Sequence, residues 1–304
     1  MKSKNKSYKK AILNHKYAYY MIIPVVLYYV IFCYLPMFGI LISFQNYSPA
    51  RGFFGSKWVG FKYFHQFFTN MYFPRIVRNT VLISFMDLVI NFPMPIILAL
   101  LFNEIRSKRF KTVSTTLTYF PHFISLVVVC GMIRSFTMSE GIITNLIAIF
   151  GGKREPLLMN PAYFKAIYVL SGTWKEVGWS SIIYMAALCG IDMQLYEACR
   201  IDGGGRWRQL IHITLPSIAP TIILLFIIRM GAMLSVGSEK VILLYSPATY
   251  KTADVISSYV YRKGLQEQNW SYGAAVGLVN SLVNVLFLVT ANTISRRVSE
   301  TSLW

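Results

Sequence analysis

Charge is scarce in this 304-residue chain. Only 14% of its residues are Asp, Glu, Lys or Arg, against about a quarter in a soluble domain, while 55% are hydrophobic. This excludes an ordinary soluble globule and predicts an all-α integral membrane protein. The four histidines, His15, His65, His122 and His212, lie in different segments and form no H-E-x-x-H pair, and no close carboxylate pair recurs on one helix face. An intramembrane protease or glycosyltransferase has nothing to work with here, so no catalytic residue is expected. Of the four cysteines, Cys33, Cys130 and Cys189 sit in apolar runs and Cys199 in a glycine-rich stretch, with no short zinc or redox spacing. All four are predicted to be buried packing residues, and no metal site or cofactor is expected. No internal repeat or low-complexity tract stands out.

Acidic residues are the rarer sign, 12 against 30 Lys and Arg, for a net charge of +18. The distribution of that charge argues against nucleic acid. Lys2, Lys4, Lys6, Lys9, Lys10 and Lys16 crowd the N-terminus, and Arg106, Lys108, Arg109 and Lys111 fill a short link between two apolar runs, as the positive-inside rule expects of cytoplasmic segments.

A spanning helix needs about 20 mostly apolar residues, and six windows qualify: Tyr17 to Phe44, Val77 to Phe102, Thr112 to Phe136, Tyr163 to Cys189, Ser217 to Val236 and Tyr272 to Ala291. Alternation from a lysine-rich N-terminus inside places the 103–111 and 190–216 links and Arg296 and Arg297 inside as well. The predicted organisation is a basic cytoplasmic tail over 1–16, a six-helix transmembrane domain over 17–294 with a cytoplasmic loop at 190–216, and a cytoplasmic tail over 295–304. The first run is too long for a cleaved signal, whose apolar region is about 7–15 residues, and is expected to be retained as an anchor.

Three outer segments, roughly 45–76, 137–162 and 237–271, hold amphipathic patches. In the third, Val255, Ile256, Tyr259 and Val260 share a helical stripe, with Thr252 as the expected N-cap, Asp254 in the first turn and Gly264 closing a short interfacial helix. Phe61, Phe64, Phe67 and Phe68 alternate with Lys62, His65 and Gln66 at helical spacing, which suits the membrane surface.

The stretch EACRIDGGGRWRQLIHITLPSIAP, Glu197 to Pro220, looks at first like a phosphate cradle. A P-loop needs G-x-x-x-x-G-K-[ST], so that backbone amides hold phosphates, the lysine reaches the terminal ones and the hydroxyl binds magnesium. Here Gly203, Gly204 and Gly205 run into Arg206 and Trp207, no Lys-Ser or Lys-Thr follows, and G-x-G-x-x-G fails too. What remains is a helix over Glu197 to Ile201, a glycine turn and a second, amphipathic helix with Trp207, Leu210 and Ile211 on one side. Pro216 is read as the point of re-entry into the membrane. By composition this elbow is either a docking element for another protein or a merely solvated loop.

The elbow resembles the signature of the membrane subunits of binding-protein-dependent ABC importers, written E-A-A, then Gly, then I-x-L-P. Glu197-Ala198-Cys199, Asp202-Gly203 and Ile213-Thr214-Leu215-Pro216 fall at the expected spacing, with Pro220 following. The departures are Cys199 for the second Ala and Gly204 where Ala often follows, both small. Trp58-Val59-Gly60-Phe61, Tyr119-Phe120-Pro121-His122, Gly178-Trp179 and the closing Ser302-Leu303-Trp304 look like the carbohydrate branch. The overall pattern is most similar to permeases for acidic or complex oligosaccharides, such as fragments of alginate, pectin or host glycans.

The resemblance implies the type I permease fold, six helices with both termini cytoplasmic. It implies two paired permease subunits, here expected to be unlike. It further implies two cytoplasmic ATPases, each bound through an elbow by Glu197, Ala198, Asp202, Gly203, Ile213, Leu215 and Pro216, and an extracellular sugar-binding protein that delivers an oligosaccharide. The missing P-loop then belongs to the ATPase, and this chain rocks its helices without covalent chemistry of its own.

Two further patterns come from the residues themselves. On the fourth span Glu176, Trp179, Ser180 and Tyr184 fall on one helical side. With Asp87 and Arg229 they either line a wet sugar path or divide into an Arg229–Glu176 or Arg229–Asp87 structural pair and an interfacial aromatic belt. The same ionisable groups keep an ion-coupled secondary transporter open as the alternative. On the sixth span Gly273, Gly277, Asn280 and Asn284 form a small and polar stripe read as a helix-packing face.

Overall fold

A computed structural model of the chain describes residues 15–298 and 302–303. Most of the basic tail and Trp304 of the closing triplet lie outside the described residues. Four helices are long and apolar enough to cross a membrane: α1 (Lys16–Phe44), α3 (Phe73–Glu104), α8 (Arg206–Gly231) and α11 (Trp270–Arg297). Two bent pairs raise the number to six if each is one span: α4 (Lys108–Phe123) with α5 (Leu126–Phe136), and α6 (Phe164–Cys189) with α7 (Met193–Ile201). Short elements on the loops complete the frame: α2 (Lys62–Phe68), α9 (Ser238–Leu244) and α10 (Ile256–Val260), with β1 (Gln45–Asn46) pairing antiparallel with β2 (Lys57–Trp58).

Proline shapes the spans without ending them. A proline inside a helix lacks an N–H and crowds the carbonyl four residues back. In α1 a π-helical segment, Val30–Tyr34, stops two residues before Pro36; in α8 another, Leu210–Thr214, stops two residues before Pro216. Each wider turn contains the carbonyl that the proline ring would otherwise meet. Consequently Pro216 does not interrupt the helix. The elbow's second helix and the fifth span are one helix, Arg206–Gly231.

The third window departs the other way, bending by 98° between Phe123 and Leu126. Pro121 sits in a 3-10 turn, and extended Ser125 starts α5 by accepting from the Val128 amide at 3.3 Å. The bend brings the chain against α6 at Gly178, where a Cβ would lie 2.0 Å from the Thr118 carbonyl oxygen. Only glycine lets these two backbones meet.

Three apolar clusters hold the helices together. Ile83, Cys130, Phe164, Val169, Val241 and Val255 join α3, α5, α6 and α9. Phe67, Ile76, Tyr259, Tyr272 and Val276 join α2, α3, α10 and α11. Ala99, Tyr184, Leu188 and Ile218 join α3, α6 and α8.

The cap over 237–271 corrects several expectations. Thr252 is not an N-cap; its hydroxyl donates to the Pro161 carbonyl at 2.7 Å, and Asp254 is extended ahead of the helix. The N-cap position belongs to Val255, whose amide donates to Ser258 Oγ at 3.0 Å. Gly264 does not close the helix either: it lies within the π-helical segment Tyr261–Gln266, where a Cβ would meet Gly273 Cα at 3.1 Å. Two glycines thus let the cap touch α11. Asn284 caps the end of the α8 connection, accepting from the Leu234 amide at 2.9 Å and donating to Ser235 Oγ at 3.0 Å. Gly277, by contrast, faces open space, so that part of the stripe is not a packing contact within this chain. Of the four cysteines only Cys130 is buried; Cys33 and Cys189 are exposed and Cys199 is half-buried.

Candidate functional site: an exposed elbow and a charged cavity

The elbow begins where α6 bends by 68° into α7. Asp192 caps α7 by accepting from the Gln194 amide at 2.9 Å, and a Schellman turn ends it: Gly204 N–H donates to Cys199 O at 2.7 Å and Gly203 N–H to Arg200 O at 3.0 Å. Gly203 has φ +76°, the left-handed conformation that glycine adopts without strain, and Gly204 is required for space, since a Cβ there would lie 2.3 Å from Cys199 Sγ. Tyr196 OH and Thr214 Oγ1, 2.9 Å apart, tie α7 to the base of α8.

On this frame Glu197, Ala198, Asp202, Gly203 and Pro216 are exposed, while Ile213 and Leu215 are half-buried. Apolar side chains stand out beside them: Ile201 is 86% and Trp207 77% exposed. Both side chains stand on a frame whose first helix is capped at each end.

The second feature is a cavity of about 630 Å³ between α3, α6, α8 and α9. It brings together all five residues singled out by periodicity and charge, Asp87, Glu176, Trp179, Tyr184 and Arg229, with Ser180 beside them. Arg229 pairs with Asp87, not with Glu176. Asp87 also accepts from Asn91 Nδ2 at 2.5 Å, and Asn91 Oδ1 accepts from the Thr173 hydroxyl.

Glu176 is held elsewhere. One carboxylate oxygen is 2.7 Å from His122 Nδ1 and the other 3.0 Å from Lys175 Nζ, which also donates to the His122 carbonyl at 2.8 Å. The His122 ring stacks parallel on Trp179 at 4.4 Å between centroids. Tyr184 is buried in the wall, whereas Trp179 is 43% exposed.

Sequence reading missed four residues here. His122 and Lys175 are the partners that hold Glu176, and Asn91 and Lys240 line the cavity. The only signal was the Tyr119-Phe120-Pro121-His122 run, whose proline and histidine turn out to sit at the α4–α5 bend. Lys240, on the short helix α9, is nearly buried; its Nζ donates to the Tyr168 carbonyl at 2.6 Å and lies 4.5 Å from the centre of the Tyr168 ring. Burial pushes its ammonium down to about 8.

Comparison with known proteins agrees with this architecture. The family described as "Binding-protein-dependent transport system inner membrane component" matches residues 91–300. The chain is 41% identical over 306 aligned residues, covering 100% of itself and 95% of the relative, to the polygalacturonan/rhamnogalacturonan transport system permease protein YteP of Bacillus subtilis, and 41% identical to protein LplB of the same organism, covering 98% and 94%. A chain of a bacterial alginate ABC transporter, solved with an alginate pentasaccharide-bound periplasmic protein, superposes with a TM-score of 0.89 at 40% identity over 97% of this chain and 99% of that one.

Fold and matches together define a multi-pass component of the inner membrane that transports and is not an enzyme. The chain belongs to the permease family of binding-protein-dependent ABC importers.

Proposed function

We propose that this chain passes an oligosaccharide from an extracellular binding protein across the membrane by alternating access, driven by a separate ATPase that docks on the 197–216 elbow. The reading rests chiefly on α8. This one helix starts in the exposed elbow at Arg206 and carries Arg229 into the cavity at its other end. At 1.5 Å per residue those positions are about 35 Å apart. A shift of the docked ATPase therefore moves cavity-lining groups directly, as a rod moves, and the cavity opens to one side of the membrane at a time.

Each named residue then has a role. Ile201 and Trp207 are the apolar anchors that enter a groove of the ATPase, Glu197 and Asp202 supply its polar edge, and Ala198, Gly203, Ile213, Leu215 and Pro216 set the shape of the elbow. In the cavity Trp179, backed by His122, offers a flat apolar face to a pyranose ring. Glu176, Asp87 and Arg229 offer hydrogen-bond acceptors and donors to its hydroxyls. Residues 1–16 and 295–304 are cytoplasmic tails of the 17–294 transmembrane domain. A second, unlike permease subunit covers the apolar faces of α1, which this chain leaves bare, and each permease holds one of two ATPases.

Proteoliposomes holding the chain with its permease partner and ATPases, supplied with the sugar-binding protein, test the reading. Oligosaccharide uptake should follow internal ATP and persist when an ionophore dissipates ion gradients. Uptake that ignores ATP and collapses with the ionophore would restore the ion-coupled alternative.

A further inference from the structure

The charges around the cavity do not balance. Asp87 is matched by Arg229, and Glu176 by Lys175 with His122 alongside. Lys240 is the third cation beside these two carboxylates, and among the described residues no carboxylate oxygen lies within 4.0 Å of it. A buried ammonium without a counter-ion is costly, and such groups are ordinarily paired or neutralised.

The surroundings of Lys240 have the shape of a missing partner. An ammonium has three N–H donors, and one of them goes to the Tyr168 carbonyl. Across from it, Asn91 Nδ2 spends one N–H on Asp87 and keeps the other. Between the two stands Gly172, where a Cβ would lie 3.1 Å from Lys240 Nζ and 3.5 Å from Asn91 Nδ2. Three donor hydrogens thus border a space that any larger residue at position 172 would fill, on the wall of the cavity assigned to the sugar. A neutral sugar hydroxyl does not relieve the unpaired charge; a carboxylate does, and its two oxygens match two donor groups.

We infer that Lys240 and Asn91, facing each other across Gly172, form a carboxylate subsite in the cavity, and that the transported oligosaccharide carries uronate groups. The inference rests on the proposed sugar-import reading and names its substrate class. The permease relative named for polygalacturonan and rhamnogalacturonan and the alginate transporter chain described above are consistent with it.

The test uses the assembled importer in proteoliposomes with its binding protein and ATP, and three labelled probes: trigalacturonate, trimannuronate and the neutral maltotriose. At least one of the two acids should be imported in preference to maltotriose. The Lys240→Met complex, recovered with its ATPase at normal yield, should import that acid at least about tenfold more slowly, the loss expected for a hydrogen bond to a charged group. Gly172→Ala, which keeps the charge and fills the cradle, should slow it severalfold; it carries the test if Lys240→Met fails to assemble. Maltotriose imported in preference to both acids, or undiminished acid uptake by either assembled variant, overturns the subsite while leaving sugar import standing. ATP-dependent uptake of none of the three counts against the import reading itself.

Discussion

In the cap over 237–271 the polar and apolar side chains of α10 and its flanks are consumed by the chain itself. Asp254 is fully buried, gripped by Arg262 at 2.6 Å and by the Ser258 hydroxyl at 2.8 Å, with Arg75 at 3.8 Å, and Val255, Ile256 and Tyr259 fill the core beneath. The elbow has the same mixture of acids, arginines and large apolar residues, yet Glu197, Asp202, Ile201 and Trp207 all face outward, and its Arg206–Glu104 pair is loose at 3.9 Å and exposed. Both regions are well defined in backbone. They differ in that the cap has satisfied its side chains and the elbow has left them for something else. Under the proposed function the rigid, bare elbow serves as a docking element, and the rigid, closed cap as a structural strut.

The contrast is broken most severely in the cap. Asp254→Ala strands Arg262 and Arg75 beside a buried site, and removing one partner of a buried pair costs about 3 kcal/mol. A clear fall in the thermal unfolding temperature of the purified chain is expected, whereas Glu197→Ala should leave that temperature where it was.

Next comes the elbow. Gly203→Val forces a β-branched residue into a left-handed conformation, which costs about 1–2 kcal/mol locally. Membrane insertion should persist, but the ATPase should no longer co-purify; recovery of the variant with its ATPase and normal transport would show that the elbow is not the dock. In the cavity, Glu176→Ala and Trp179→Ala should cut oligosaccharide uptake roughly tenfold each, the size of one or two lost hydrogen bonds or a stacking contact, with ATPase binding retained. Wild-type uptake by both would remove the cavity from the sugar path. The smallest effect is expected at Gly277: because it faces open space, Gly277→Leu should leave the fold of the isolated chain intact, and any loss should appear only when the complex assembles.

Which of these features was readable in the sequence follows from how local its cause is. Hydropathy runs are local, so the spanning segments were legible, and so was Gly203, whose turn is dictated by three consecutive glycines. The grouping of Glu176, Trp179 and Tyr184 followed from helical periodicity alone. The π-helical turn that accommodates Pro216 has no sequence marker, so the continuity of α8 was hidden. The 98° bend at Ser125 was obscured by an apolar run that continues across it. His122 and Glu176 lie 54 residues apart, and Lys240 meets Tyr168 across 72; pairings at such separations are created by the fold and leave no pattern in the chain.

The central claim is that α8 transmits the state of the elbow to the cavity as one rigid body. Pulsed electron-spin distances in the assembled importer address it directly, with labels at positions 207 and 229 in one sample and at 87 and 229 in another, each taken with and without trapped ATP. The account predicts that the 207–229 distance stays constant within label error while the 87–229 distribution shifts. A 207–229 distance that shortens on trapping, as α8 folds at Leu210–Thr214 and the cavity pair stays still, would contradict it.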